Sequence, residues 1–412
     1  MWSDFSRGDG RAFRAMRILV ITQYFWPENF RINDLVRDLV LRGHDVTVLT
    51  GIPNYPHGRY YDGYRAFRPL RETYEGAKII RVPLTPRRRS TGVQLFMNYV
   101  SFAVSATMLG PFFCRGAFDV VFVHEPSPIT VGIPAVLIRW LKRAPVLFWV
   151  LDLWPESLSA TGAIRSERVL SWVEAVVRYI YRHCDRILIQ SRAFADYIMR
   201  LGVDADKLLY FPSWAEEFYK VFPDPSVIQP PVALPEGFRV VFAGNVGAAQ
   251  DFPTILGAAE ILRERSDIQW IIIGDGRMKQ WVENEVCERG LSETVHLIGS
   301  FPPESMPRFF AYSDALLVSL KMDPVFSATI PGKVQSYLAC GRPIIAALDG
   351  EGARVIREAQ AGIVCQTENS LELAQAVVKL SSMPEEERRL MGLSGREYYN
   401  DHFERNLLID RL

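Results

Sequence analysis

Lys333 stands in Pro331-Gly332-Lys333, where an apolar-periodic stretch opens and a helix is expected to begin. The free N–H groups at a helix start carry partial positive charge, so a lysine there makes sense when an anion sits between them. Two glycine turns point to the same chemistry. Gly244-Asn245-Val246-Gly247 follows directly on an apolar run at 238–243, and Gly274-Asp275-Gly276-Arg277 follows on another at 269–273. Glycines between a strand and a helix let backbone amides approach a diphosphate closely. Gln250 lies just beyond the first turn, and Gly299-Ser300 ends a further apolar run. Lys333 and Arg277, with the two glycine turns, therefore form a candidate diphosphate site. For Lys333 and Arg277 the alternative is an ordinary solvated cation.

The first half of the chain offers acid–base candidates. Asp152 closes an apolar run at 146–151 and opens Asp152-Leu153-Trp154-Pro155-Glu156-Ser157. A carboxylate at the carboxyl end of a buried strand can accept a proton from a hydroxyl group, with Glu156 as the second candidate. Asp152 can equally cap the helix that follows. His124-Glu125 ends the preceding run and reads either as part of a site or as a buried, hydrogen-bonded pair. Arg31 lies in the turn 26–32, ahead of a helix whose N–H groups could hold a phosphate. Asn54-Tyr55-Pro56-His57-Gly58 mixes aromatic and small polar groups suited to a sugar, and Arg87-Arg88-Arg89 could hold a diphosphate or anionic headgroups.

Such residues need elements to position them. Apolar runs without alternation at 17–22, 44–50, 78–82, 119–123, 146–151 and 186–189 alternate with helical periodicity, as for Ile32, Leu35, Val36, Leu39 and Val40. The pattern stops at 221–237, which holds five prolines, and restarts at 238–244, 269–273, 294–298, 315–319 and 343–346. Continuous Val/Ile/Leu runs between helices indicate parallel sheets covered on both faces. The expected fold class is α/β, with two Rossmann-like doubly wound domains facing across a cleft. The expected divisions are an N-terminal extension over 1–15, a first domain over 16–220, a linker over 221–237, a second domain over 238–395 and a C-terminal helix over 396–412. That helix could cross back to the first domain.

Composition narrows the class. The 412 residues are 49% hydrophobic and 23% charged, which is globular rather than disordered. Forty-seven basic residues balance 47 acidic ones, and no basic excess points to nucleic acid. Five scattered cysteines and six histidines show no metal-ligand spacing, so no metal site is expected, and unpaired cysteines fit a reducing compartment. Residues 1–15 lack the apolar core of a signal peptide, and Met16 is the expected functional start in a cytoplasmic protein. Residues 95–113 carry no charge and follow three arginines. Gln94, Asn98, Ser101 and Ser105 would nevertheless form one polar stripe on a helix, and Gly110-Pro111 would end it short of a membrane span. A helix packed in the first domain is expected, with contact at a bilayer surface as the alternative.

Five stretches occur in order: "YFWPENFRINDLVRDLVLRGHDVTVLTGIPNYPHG", "LDLWPES", "FAGNVGAAQDF", "IIIGDGR" and "TIPGKVQSYLACGRPIIAALDGEGARVIREAQAGIV". Together they resemble the retaining GT-B glycosyltransferases of the glycogen-synthase-like superfamily, in the branch making bacterial exopolysaccharide and O-antigen. The resemblance runs from about Met16 to the end. It implies a nucleotide-sugar donor (a substrate, with no separate cofactor), held by Arg31, Gly244, Asn245, Gly247, Gln250, Asp275, Arg277, Gly299, Ser300, Lys333 and Ser336. It implies a lipid-linked glycan acceptor near Asn54, Tyr55, His57, Arg87 and Arg88, peripheral contact with the inner membrane, and catalytic roles for Asp152 and Glu156. Three departures stand out. Asn29-Phe30-Arg31 replaces the usual glycines, Asn245 and Gln250 replace two cations, and Ala328 and Ser336 replace paired glutamates. An epimerase of the same fold, or a silent sugar-nucleotide-binding subunit, stays open beside the transferase.

Overall fold

The computed structural model describes residues 14–66, 70–88, 92–160, 162, 164, 166–222 and 228–412. The N-terminal segment is thus described only from Arg14 onward. Arg89 and residues 223–227 of the expected linker lie outside the described residues. By compactness the chain divides into two units, one comprising the residues up to Asp152 together with Val176–Ile187, the other Leu153–Ala175 with Leu188–Leu412.

Ile18-Leu19-Val20-Ile21 contains no polar side chain, because its strand is covered on both faces. This strand, β1 (Arg17–Ile21), lies inside an eight-stranded sheet with β2 (Asp45–Gly51), β3 (Leu70–Tyr74), β4 (Ala77–Val82), β5 (Val120–Glu125), β6 (Val146–Val150), β7 (Arg186–Ile189) and β8 (Leu208–Tyr210). The order is β3-β4-β2-β1-β5-β6-β7-β8. β1 pairs in parallel with β2 and β5, placing Ile18 beside Val46 and Val120. Sequence order reverses between β1 and β5, and ligands of doubly wound sheets bind outside the carboxyl ends of strands at such a reversal. The edge strand β3 runs antiparallel to β4 and alternates exposed with partly buried residues, so it carries no apolar run for a sequence reading to find.

The second sheet holds β9 (Phe238–Ala243), β10 (Ile268–Ile273), β11 (Val295–Gly299), β12 (Ala315–Ser319), β13 (Ile344–Ala347) and β14 (Gly362–Cys365), in the order β11-β10-β9-β12-β13-β14. Every neighbouring pair is parallel. Alternate residues of β9 and β10 feed two cores: Val240, Phe242, Trp270 and Ile272 on one face, Val241, Ala243, Ile271 and Ile273 on the other. Each fully buried apolar side chain contributes about 2 kcal/mol. Here the order reverses between β9 and β12. The last residues, 396–412, form the end of helix Glu385–His402 and helix Arg405–Asp410.

Helix Gly92–Phe113 corrects one expectation. It continues through Pro111, which falls in its last turn, and the chain stays hydrogen-bonded beyond it from Cys114 N to Gly110 O at 2.8 Å. A proline so near the end removes one bond without breaking the element. The helix buries Asn98, Phe102, Ala103, Ala106 and Gly110, and of the expected polar stripe Gln94, Ser101 and Ser105 stay part-exposed.

Candidate active site

In the second unit, chemistry gathers at the sheet's reversal point. Gly244, the residue after β9, has φ 138°, a conformation open to glycine. A Cβ there would stand 2.6 Å from Lys333 Cε, so the missing side chain is what lets the lysine lie across the turn. Lys333 occupies the first turn of helix Gly332–Cys340. Tyr337 of the same helix accepts from Ala243 N at 3.2 Å and donates to Leu317 O at 3.3 Å. It thereby ties the helix to both β9 and β12. Lys333 Nζ donates to Gln250 Oε1 at 2.6 Å and lies 4.3 Å from the centre of the Phe242 ring. Burial pushes its pKa down to about 7.

The neighbouring turn is built to match. Gly274 has φ 148°, and any Cβ there would collide with the Gly244 carbonyl oxygen. Val246 N donates to Asp275 O at 2.8 Å, and Met278 N donates to Val246 O at 3.0 Å, so the two glycine turns are laced together. Asp275 accepts from Gly276 N at 2.7 Å through its side chain. Gly274 N donates to Gly299 O at 2.8 Å, which brings Gly299 alongside, with Ser300 exposed next to it. Arg277 is exposed and makes no ion pair among the described residues. Ser336 donates to Gly332 O at 3.1 Å within its own helix, leaving its oxygen as an acceptor, and Ala328 is buried. Asn245 is exposed beside Gly247.

In the first unit, Arg87 forms the centre of an aromatic cage. Its guanidinium lies 5.6 Å from the Tyr24 ring centre, 5.2 Å from Tyr55 and 5.9 Å from Tyr99, and donates to Tyr99 Oη at 3.2 Å. Its Nε is buried with no hydrogen-bond partner among the described residues. Asn54, fully buried, accepts through Oδ1 from Arg87 N at 3.3 Å and from Asn98 Nδ2 at 3.3 Å. Gln23 Nε2 donates to Asn98 Oδ1 at 2.7 Å. Three of the expected acceptor residues, Asn54, Tyr55 and Arg87, thus come together. His57 is exposed, 6.0 Å from the Tyr61 ring, and Arg88 donates its N–H to Gly58 O at 2.6 Å.

Beneath the cage lies a residue that the sequence reading missed. Glu28 accepts from Asn54 N and Tyr55 N at 2.7 Å through Oε1, and from Phe25 N at 3.2 Å through Oε2. It joins the loop after β1 to the loop after β2. Burial raises its pKa to about 7 despite those three donors. The only trace in the sequence is a carboxylate set among aromatics in Trp26-Pro27-Glu28, which does not disclose a partner 26 residues away.

At the carboxyl ends of β1 and β5, Thr22 Oγ1 donates to Tyr24 O at 3.0 Å and meets His124 Nδ1 at 3.0 Å. The hydroxyl has only one proton to give, so the imidazole donates at Nδ1 and keeps Nε2 as an acceptor. Burial, with the charge of Arg31 second, pushes the His124 pKa down to about 3 and keeps the ring neutral. Arg31 is half-buried just before helix Ile32–Leu41, with backbone already helical and no side-chain cap. Glu125 is fully buried. Burial, and then the charge of Asp152, raise its pKa well above the usual carboxylate range, against a smaller downward pull from backbone N–H groups. Asp152 follows β6 and is part-exposed, four residues ahead of helix Glu156–Ala160. Glu156 opens that helix, half-buried, with its pKa raised by burial. Among the described residues no group of acidic, histidine or cysteine side chains could hold a metal ion.

The second unit offers a cation, glycine amides and Glu156, and the first offers Glu28, Glu125 and Asp152, a neutral imidazole and a caged guanidinium. Family models match both halves: "Glycosyl transferase 4-like domain" over residues 29–214 and "Glycosyl transferases group 1" over 237–383. A protein of Escherichia coli (strain K12) that bears the name colanic acid biosynthesis glycosyl transferase WcaI is 27% identical over 342 residues, 79% of this chain and 82% of its own length. Among solved structures, HepE of Anabaena in complex with UDP and glucose superposes with a TM-score of 0.67 at 14% identity, covering 96% of this chain and 98% of that one. WaaG, a glycosyltransferase involved in lipopolysaccharide biosynthesis, does so with a TM-score of 0.65 at 14% identity and the same coverage.

Proposed function

The chain belongs to the GT-B glycosyltransferases, and within that family we propose that it moves a sugar from a UDP- or GDP-sugar onto a polyprenyl-diphosphate-linked glycan in cell-surface polysaccharide synthesis. One observation carries the donor half: Lys333, at the start of helix Gly332–Cys340, lies across Gly244 and against Phe242. A lysine held there against the helix dipole is stabilised by a diphosphate bound between its ammonium group and the N–H groups. The glycine turns add backbone donors. As the bond from the anomeric carbon to the diphosphate breaks, this cluster takes up the charge developing on the leaving oxygen, as a pre-organised electrostatic site does.

Transfer proceeds with retention and without a metal ion in our reading, the acceptor oxygen attacking on the face from which the diphosphate departs. Ala328 and Ser336, in place of paired glutamates, supply no carboxylate nucleophile. Asp152 takes the proton of the acceptor hydroxyl, and Glu156 assists. Arg87, with donors left over inside its cage, takes a phosphate of the lipid carrier. Glycans on polyprenyl carriers fit the kinship with WcaI, named for colanic acid biosynthesis. Free cysteines, four of the five buried, favour a cytoplasmic setting.

Transfer of labelled sugar to a polyprenyl-diphosphate glycan tests the whole. Lys333→Ala should lose donor binding about a hundredfold or more, the scale of one buried charge-assisted contact. Asp152→Asn should slow transfer about a hundredfold with donor affinity kept. Full-rate transfer by Asp152→Asn would remove it as the base. Interconversion of the nucleotide sugar without any acceptor would replace the transferase by an epimerase.

A further inference from the structure

The three aromatic walls around the Arg87 guanidinium come from three different elements. Tyr24 lies in the loop after β1, Tyr55 in the loop after β2, and Tyr99 in helix Gly92–Phe113. One buried side chain ties the first two together. Glu28 takes the N–H of Phe25, the residue after Tyr24, on Oε2 at 3.2 Å. On Oε1 it takes the N–H groups of Asn54 and Tyr55, both at 2.7 Å. The third wall follows from the second. Asn98, next to Tyr99, donates from Nδ2 to Asn54 Oδ1 at 3.3 Å, and the same oxygen accepts from Arg87 N at 3.3 Å. The walls and the main chain of the residue they enclose therefore share one carboxylate as their anchor.

The link calls for a carboxylate in particular. Backbone N–H groups from two loops converge on two oxygens, and an ionised carboxyl accepts on both, whereas an amide of the same shape has a single accepting oxygen. Burial raises the carboxyl to about 7, a penalty that a neutral link would not carry. Ionisable groups held against such a penalty concentrate at functional sites. Glu28 is 1% exposed, so it acts through the side chains it places.

We propose that Glu28 is the positioning residue of the acceptor site: it sets Tyr55 against Tyr24, and so fixes the direction in which Arg87 presents its N–H groups to a phosphate of the lipid carrier. Aromatic rings hold a guanidinium through its charge, and Phe30 closes the cluster, stacked on Tyr24 at 5.1 Å and 5.4 Å from Tyr55. A guanidinium turned away loses hydrogen bonds that depend on its planar fork. The inference rests on the reading of Arg87 as the phosphate ligand.

Binding of farnesyl diphosphate, a short polyprenyl diphosphate, to the full chain tests it, with UDP and GDP in excess to fill the donor pocket. Glu28→Gln must release either Phe25 N or the pair Asn54 N and Tyr55 N, and should weaken the probe about tenfold, the scale of one hydrogen bond to a charged group. Nucleotide affinity should stay unchanged, and in the transfer assay the acceptor KM should rise while kcat holds. Tyr55→Ala removes one wall at an exposed position, leaves the buried network alone, and should weaken the probe by a similar factor. Arg87→Ala should cost about a hundredfold, and Glu28→Gln should then add nothing, because the group it places is gone. Native-strength binding by Glu28→Gln or by Tyr55→Ala overturns the proposal. An equal loss from Glu28→Gln with and without Arg87, or a matching fall in nucleotide affinity or kcat, reduces Glu28 to a tie between loops and overturns it too. Unchanged binding by Arg87→Ala alone is a separate result: it removes Arg87 as the phosphate ligand, and the inference with it.

Discussion

Lys333 carries the most at the scale of single residues. Its folded-state pKa of about 7 lies below the ordinary 10.5 because the ammonium group is partly withdrawn from water. Between those two values the unfolded chain holds a proton that the unliganded folded chain lacks. This residue's share of stability therefore rises with pH across that window. A bound diphosphate reverses the preference by pairing with the charged form. Binding of a nucleoside diphosphate at about pH 8 should then take up roughly one proton. Titration calorimetry in buffers of different ionisation enthalpy measures that uptake, and Lys333→Met should abolish it. Binding without proton uptake would mean that the lysine does not face the phosphates. Ser336 gives its proton to Gly332 O, so toward a ribose hydroxyl it acts as an acceptor.

At the scale of elements, glycine positions report how closely strands and turns approach. Gly274 and Gly299 both have positive φ, 148° and 86°. A Cβ on Gly274 would run into the Gly244 carbonyl oxygen, whereas one on Gly299 meets nothing within 4 Å. Gly274→Ala should cost about 3 kcal/mol or more and weaken nucleotide binding, since the two turns must part. Gly299→Ala should cost about 1 kcal/mol, the conformational penalty alone. Denaturant melts of the two variants side by side decide the matter, and equal costs would mean that the turns are not tightly laced. The buried strands were legible as uninterrupted apolar runs, to within a residue or two at their ends. β3 was not, because polar residues alternate along it, and β8 and β14 were not, because apolar runs of three and four residues are too short to declare a strand.

For the whole molecule, a ligand that binds only the folded chain raises its apparent stability, by about 2.7 kcal/mol at a hundred times its dissociation constant. Thermal unfolding with UDP and with GDP should therefore show a shift for one of the two bases, lost in Lys333→Ala. Absence of a shift with either would remove the donor pocket. A formal net charge of zero conceals a long stretch without carboxylates beside an apolar helix, which global composition does not disclose.

From the sequence alone came two α/β domains, the glycine turns after β9 and β10, and Lys333 at a helix start. All of these are local: a few adjacent residues and the strand or helix period suffice to declare them. The tertiary structure decided which groups meet across long separations. Glu28 reaches the loop at Asn54, Asn98 reaches Gln23, and His124 reaches Thr22 because parallel strands bring their carboxyl-end loops to one rim of the sheet. It also decided which way helix Gly92–Phe113 faces. Asn98 turns inward onto Asn54 and Gln23 with Phe102 and Ala106 buried on the same side, which leaves Val93, Phe96, Val104 and Met108 outward.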